Sequence, residues 1–419
     1  MDKIIYGENC VYSTDCNETG LNNNSIVFGP SGSGKTMSIT EPCLLETFSR
    51  SLVVTVTKRR IIKKYKPLLE KRGYHILDMD FVHPEKGDVG YDPLKQVGSY
   101  QDITFLARSL VKADPKKEMQ NNADPYWDEA AISLLSAEIA YTMMTKDNPT
   151  FSDVLDMHDH LDIKDDGGQI TTSFDLKFEY LESKAPACFA VSCWKSFRNL
   201  PIKTASCVYG TLNTAIDTIF SPGLRKMMST ERQVDIEKLA SEKTILFVTT
   251  SPVNPALHSF VNMFYGNLFK QLFEFAEDRP DGVLPIPVHV IADDFATGSR
   301  ILNFAEYISI FREKKISVTL LLQSESQLAS MYGADDATTI INNCDTYLYM
   351  GGMDLKTAHS ISLRLNVPLD EVLYMPLGQE ILFRRGQKPV ITTRYNILGN
   401  KQYQKVTRQY EMQVAEMVR

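Results

Sequence analysis

The residues whose types and spacing speak most directly of chemistry are Gly29-Pro30-Ser31-Gly32-Ser33-Gly34-Lys35-Thr36, which fit G-x-x-x-x-G-K-[ST] in full. Glycines at these positions let successive backbone N–H groups turn inward around a polyphosphate, and a helix N-terminus behind them adds a favourable field. At this spacing Lys35 reaches the β- and γ-phosphates of a nucleotide such as ATP, and the Thr36 hydroxyl joins the shell of a Mg²⁺ ion. A Gly/Ser-rich surface turn has the same composition, so the flanks matter. The apolar run Ser25–Phe28 reads as a buried strand and Met37–Phe48 as a helix, the context the motif requires. Pro42 removes one backbone donor from that helix and predicts a kink rather than an end.

Further candidates lie some 250 residues on. Val288–Ala292 reads as a strand ending in Asp293 and Asp294. In a nucleotide-binding sheet this sets carboxylates at the C-terminal edge beside the phosphates. Asp293 would hold Mg²⁺, directly or through water, and Asp294 would orient or deprotonate the attacking water. Paired acids after a strand also serve as helix caps; the preceding phosphate motif favours the catalytic reading. Gln323 ends the next strand and reads either as a sensor of the γ-phosphate or as a strand-terminal hydrogen bond. Arg312, between them, reads as an arginine finger toward a neighbouring subunit or as a solvated helix-end cation. Lys58, Arg59, Arg60, Lys63, Lys64, Lys66, Lys71 and Arg72 form a basic block that either contacts phosphates and a nucleic-acid backbone or solvates a helix face.

The elements that must position these groups follow a pattern. Strand and helix alternate over residues 21–95, with strands at Leu52–Thr57 and Tyr74–Met79 and a helix over Ile61–Lys71, which argues a parallel sheet covered by helices. From about residue 100 to 230 the pattern is helical. Asp124-Pro125 forms a cap, Trp127, Ala131, Leu134, Leu135 and Ile139 recur as a core stripe, and Lys164–Gln169 reads as a polar break. Strand–helix alternation returns after residue 240, with strands at Thr244–Thr249, Pro287–Ala292, Ser317–Leu322 and Tyr347–Met350, and a closing hairpin around Arg385-Gly386. The fold class is therefore α/β: a nucleotide-binding domain in two parts, 1–105 and 231–419, split by an all-α insertion at 106–230, about 130 residues and the usual size of a domain.

Bulk properties exclude other classes. The net charge is −7 over 419 residues, so any contact with DNA must be local. Seven cysteines without a C-x-x-C pair argue for reduced thiols rather than zinc or disulfides. Asp156, His158 and His160 read as a polar helix end rather than metal ligands. No stretch approaches the ~18 apolar residues of a membrane span, and the N-terminus does not read as a signal peptide, so the expectation is a cytoplasmic chain.

With these motifs in order, the chain resembles the TraG/TraD family of type IV secretion coupling proteins. The resemblance rests on Gly29–Thr36, Tyr91-Asp92-Pro93-Leu94, Trp127, Asp293-Asp294-Phe295-Ala296, Arg312–Ser317, Gln323–Leu328, Tyr332-Gly333 and Asn343-Cys344-Asp345. It implies a RecA-like P-loop ATPase with an inserted all-α domain, using ATP and Mg²⁺ and assembling as a homo-hexamer. It also implies partners: a relaxase carrying single-stranded DNA, a type IV secretion channel ATPase, and a membrane-anchoring protein that recruits this chain to the inner face of the cell membrane. Family members commonly carry Asp-Glu where this chain has Asp293-Asp294, one methylene shorter. Of a common Asp-x-Lys-Gly-Glu segment only Lys58 matches, and the expectation is a member without the membrane-spanning helices that begin most of the family. A different function class stays open: a relaxase-docking receptor, working through residues 106–230 with little hydrolysis.

Overall fold

The computed structural model describes residues 2–112, 125–167, 169–251, 254–295 and 300–417. Asp124 of the expected cap and Ala296 of the acidic motif lie outside them. Among the described residues the strands are β1 (Lys3–Ile5), β2 (Val11–Ser13), β3 (Ser25–Phe28), β4 (Ser51–Val56), β5 (His75–Asp80), β6 (Ile163–Asp166), β7 (Gln169–Thr172), β8 (Thr244–Thr249), β9 (Val288–Ala292), β10 (Ile316–Leu322), β11 (Thr346–Tyr349), β12 (Gln379–Arg384) and β13 (Val390–Thr393).

Nine of these form one sheet, in the order β13-β12-β11-β3-β10-β9-β4-β8-β5. From β11 to β5 every pairing is parallel; β12 and β13 close one edge antiparallel. The central strands β3, β4, β8, β9, β10 and β11 are buried at every position. That is the signature of a parallel sheet with both faces covered. Because side chains alternate across a strand, Val27, Val54, Phe247 and Leu321 enter the core on one face, while Ile26, Val53, Leu246 and Leu320 enter the core on the other. The second core runs on without a break into the helical segment.

That segment holds the helices Tyr100–Val111, Pro125–Thr145, Phe151–Asp159, Asp175–Lys184, Phe189–Arg198, Ile202–Ile219 and Pro222–Met228. Three expectations change here. The polar stretch read as a break is the short antiparallel hairpin β6–β7. A Gly-containing polar run marks a turn equally well, and the four-residue strands on each side are too short to show alternation. In the expected stripe, Ala131, Leu134, Leu135 and Ile139 are buried, but Trp127 is 37% exposed. The indole core of this region is Trp194 instead, 3% exposed and stacked on Phe178 at 4.4 Å between ring centroids. His158, expected at a polar helix end, is buried, with Nδ1 3.0 Å from both carboxylate oxygens of Glu138.

Truncation should separate the two tryptophans. Trp194→Ala is expected to cost about 3–5 kcal/mol and Trp127→Ala under about 1 kcal/mol by thermal or denaturant unfolding. Equal losses would contradict this account of the core.

Candidate nucleotide-binding site

The phosphate loop is stitched onto the sheet where β3 ends: the Gly29 N–H donates to the Leu322 carbonyl of β10 at 3.1 Å. A tight turn follows, with Ser33 N–H donating to Pro30 O at 3.1 Å. Gly32 and Gly34 have φ of 79° and 87°, a region costly for any residue with a Cβ. Lys35 folds back over the loop, its Nζ donating to Gly29 O at 2.6 Å and Pro30 O at 3.2 Å. Burial lowers its pKa, opposed by the carboxylates of Asp293 and Asp294. The Ser33 hydroxyl is buried without a hydrogen-bond partner. A glycine-rich loop at a helix start, with a buried ammonium and an orphan hydroxyl, is a cradle suited to an anion.

The helix behind the loop opens with a π-helical turn, Thr36–Thr40, and continues as α-helix over Glu41–Leu45. It ends earlier than the expected Phe48. The kink expected at Pro42 takes the form of that widened turn, in which Glu41 N–H donates to Thr36 O.

The acids arrive from β9, two strands from β3 with β10 between. The Thr36 hydroxyl donates to Asp293 Oδ2 at 3.1 Å. Burial raises the Asp293 pKa, and the neighbouring Asp294 charge raises it further. Asp294 adopts φ 54°, a left-handed conformation that Asp tolerates better than most residues, and its N–H donates to Asp293 Oδ1 at 3.1 Å. Gln323 follows β10 directly, exposed, its N–H donating to Gln327 Oε1 at 2.9 Å. Lys35, Thr36, Asp293, Asp294 and Gln323 together line one cleft of 310 Å³, joined by Thr57 and Lys58 from the end of β4. The hydroxyl–carboxylate pair beside a phosphate cradle fits a Mg²⁺–nucleotide, because the hard cation takes oxygen ligands from both.

Arg312 does not join this cleft. It lies exposed just before β10, at the end of the strand opposite to the cleft. The seven residues of β10, about 20 Å long, separate it from Gln323 and the cleft. Part of the basic block is taken up by contacts within the chain. Arg59 pairs with Asp78 and Asp80 of β5. Lys64 pairs with Glu41 at 2.8 Å, and Arg72 donates to Thr47 O at 2.9 Å. Lys58 and Arg60 line the cleft, while Lys63 and Lys71 face solvent. The helix is amphipathic: Ile61, Ile62, Tyr65 and Leu69 form its buried stripe, and Arg60, Lys63, Lys64 and Lys71 lie together on the opposite side.

One pair escaped the sequence reading. Arg394, at the end of β13, packs its guanidinium against Gly34; a Cβ there would lie 2.8 Å from Arg394 Nη1. Glu380 of β12 is fully buried beneath it, with Oε1 3.9 Å from Arg394 Nε. Neither residue carries a recognisable motif. An acid on the buried face of a hairpin strand was the available signal.

A buried parallel sheet with a phosphate loop after one strand and acids after another defines a P-loop nucleotide-binding protein. The profile of the type IV secretory system conjugative DNA transfer family matches residues 2–366, and the chain belongs to that family. It is 22% identical over 404 aligned positions to the conjugal transfer protein TraG of Agrobacterium fabrum (strain C58 / ATCC 33970), covering 87% of this chain. The chain spans about three fifths of that relative, 59% of its length. Among solved structures, its fold is similar to that of the bacterial conjugative coupling protein TrwBdeltaN70 in an unbound form, with a TM-score of 0.70, 16% identity and coverage of 94% and 88% of the two chains. It is likewise similar to TrwB in complex with the non-hydrolysable ATP analogue ADPNP, with a TM-score of 0.68, 16% identity and coverage of 89% and 85%. VirB4 of Thermoanaerobacter pseudethanolicus is a more distant likeness, with a TM-score of 0.52, 12% identity and coverage of 94% and 96%. The fold is thus the RecA-like P-loop arrangement of TrwB, with its helical domain.

The contacts of Arg59 yield a direct test. Asp80 is fully buried, and burial pushes the Asp78 pKa up to about 6 against the pull of Arg59. Arg59→Ala leaves Asp78 without its guanidinium partner and Asp80 with the Val82 and His83 N–H donors alone, and is expected to cost about 3 kcal/mol in unfolding at pH 7, whereas Lys63→Ala is near neutral. A silent Arg59→Ala would restore the solvated-face reading.

Proposed function

We propose that the chain is the ATP-hydrolysing coupling protein of a conjugative type IV secretion system, linking a relaxase–single-stranded DNA substrate to the transfer channel. The observation that carries this is the convergence of Lys35, Thr36, Asp293 and Gln323 on one cleft, in a chain of the conjugative DNA transfer family. TrwB, of similar fold, forms complexes with ADPNP and with ADP and Mg²⁺, which supports ATP and Mg²⁺ as the ligands of this cleft.

In this reading Thr36 and Asp293 hold Mg²⁺, and the ion, when bound, supplies positive charge to the phosphate oxygens. Lys35 leaves its two loop carbonyls to donate to the β- and γ-phosphates. Asp294 orients the attacking water and accepts its proton. Being a methylene shorter than the common Glu, it sets the water closer to the strand end. Gln323 senses the γ-phosphate and passes its loss to the helix Glu325–Tyr332, which begins two residues later. Arg312, exposed at the far end of β10, reaches the site of a neighbouring protomer in a homo-hexamer and stabilises the charge of the transferring phosphoryl group.

The helical segment 106–230 is read as a domain that meets the relaxase. Recruitment to the inner face of the membrane is assigned to a membrane-anchoring partner protein; no helix among the described residues is long and apolar enough to cross a membrane. The channel ATPase is the further partner.

Steady-state ATPase assays with and without single-stranded DNA test this reading. Turnover stimulated by DNA is expected, with a loss of at least about 100-fold in both Lys35→Ala and Asp294→Ala. Retained ATP binding without turnover, across a wide protein concentration range, would favour the docking receptor. For Arg312, mixing inactive Arg312→Ala with inactive Lys35→Ala is expected to restore part of the activity, because one variant keeps the cleft and the other the finger. Activity of Arg312→Ala alone at the wild-type level would remove it from the reaction.

A further inference from the structure

Asp293 and Asp294 line more than the cleft. Together with Thr55 and Thr57 of the β4 end they also line a second cavity, of 30 Å³. Its further wall is Thr250, just beyond β8, and His258, near the start of the helix Pro255–Glu277. The Thr250 N–H donates to Val56 O at 3.0 Å, which fixes this wall against β4. A cavity of this size has room for about two water molecules.

The polar groups of this cavity fall into two sets. The Thr55 and Tyr265 hydroxyls bond to each other, and Asp293 accepts from the Thr36 hydroxyl and the Asp294 N–H. Thr250 and His258 are only 7% and 6% exposed, yet the Thr250 hydroxyl and His258 Nδ1 have no hydrogen-bond partner among the described residues. His258 Nε2 lies 2.6 Å from Ser251 O. A carbonyl can only accept, so Nε2 carries the proton, and Nδ1 of the neutral ring presents a lone pair. Buried polar groups left without partners are costly, and ordered water satisfies them where there is room. Asp294 is the remaining acceptor. Its left-handed backbone, φ 54°, fixes where the side chain starts, and no donor among the described residues reaches its carboxylate.

We infer that water held in this cavity lets Thr250 and His258 orient the Asp294 carboxylate. One molecule accepts from the Thr250 hydroxyl and donates to His258 Nδ1 and to one Asp294 oxygen, leaving the other oxygen for the attacking water in the cleft. The inference rests on the hydrolytic reading proposed above and deepens it. Asp294 takes the proton of the attacking water; Thr250 and His258 act through the buried water and are positioning residues. The arrangement suits an aspartate. Being one methylene shorter than a glutamate, it keeps its carboxylate near the end of β9, where the cavity lies.

Kinetics of MgATP hydrolysis by the full chain, with MgATP affinity measured separately, test this. Thr250→Val keeps the shape of the side chain and removes the hydroxyl; His258→Phe removes the ring acceptor. Each is expected to lower kcat by about tenfold while KM and MgATP affinity stay within about twofold. Thr250→Ser, which restores the hydroxyl, and His258→Asn, which sets an amide oxygen near the place of Nδ1, should recover part of the loss. In an Asp294→Ala background Thr250→Val should change the residual single-turnover rate by less than about twofold, because the group it orients is gone. Wild-type kcat in both Thr250→Val and His258→Phe, with Asp294→Ala still inactive, would overturn the role of the cavity alone. So would a tenfold loss from Thr250→Val that persists in the Asp294→Ala background. Full turnover in Asp294→Ala, or none in the wild-type chain, would overturn the hydrolytic reading and the cavity with it.

Discussion

The site depends on one register relation. Leu320 of β10 pairs with Ile26 of β3 on one side and with Ala292 of β9 on the other. β9 therefore ends level with Ile26, two residues before β3 gives way to the phosphate loop. That offset leaves room beneath the loop for a carboxylate, and Asp293 fills it, within hydrogen-bond reach of the Thr36 hydroxyl. Alternation across these strands feeds two separate cores, so a slip of one residue would turn both faces inside out. The packing of the sheet thus holds the hydroxyl–carboxylate pair in place.

The surrounding elements read as supports for that pair. Gln323 inherits its position from β10, the strand that carries the shared register. The P-loop helix is anchored from outside by Glu41, whose Oε2 accepts from Lys64 at 2.8 Å and from the Tyr65 hydroxyl at 2.7 Å. Lys64 also lies over the Tyr403 ring at 3.7 Å, which ties the C-terminal helix Lys401–Met417 to the same anchor. On the other face the helical segment shares its core with the sheet. A movement of that segment must therefore repack apolar side chains that also touch the nucleotide-bearing strands, a physical route between the cleft and a distant surface.

Much of the site was legible in the sequence because it is local. The phosphate loop, the strand before it, and the acids and amide that end β9 and β10 each announce themselves within a few residues. What escaped is the identity of partners. Periodicity marks Arg59 and Lys64 as lying off the apolar stripe, yet the acids that claim them, Asp78, Asp80 and Glu41, stand on other elements. Trp127 has the helical spacing of a core residue but sits near the start of its helix, where Tyr126 and Glu129 are exposed as well. Glu380 and Arg394 were legible as strand residues and nothing more, since their meeting with Gly34 depends on a sheet order that brings the last hairpin next to β11.

The central claim is that Thr36 and Asp293 act as one unit in holding a metal-bound nucleotide. A double-mutant cycle in MgATP affinity, comparing Thr36→Val, Asp293→Asn and the double variant with and without Mg²⁺, tests it most directly. The account predicts that each single variant weakens MgATP binding by about tenfold or more, that the double variant loses little beyond either, and that the differences vanish without Mg²⁺. Additive losses that persist in the absence of the ion would contradict it.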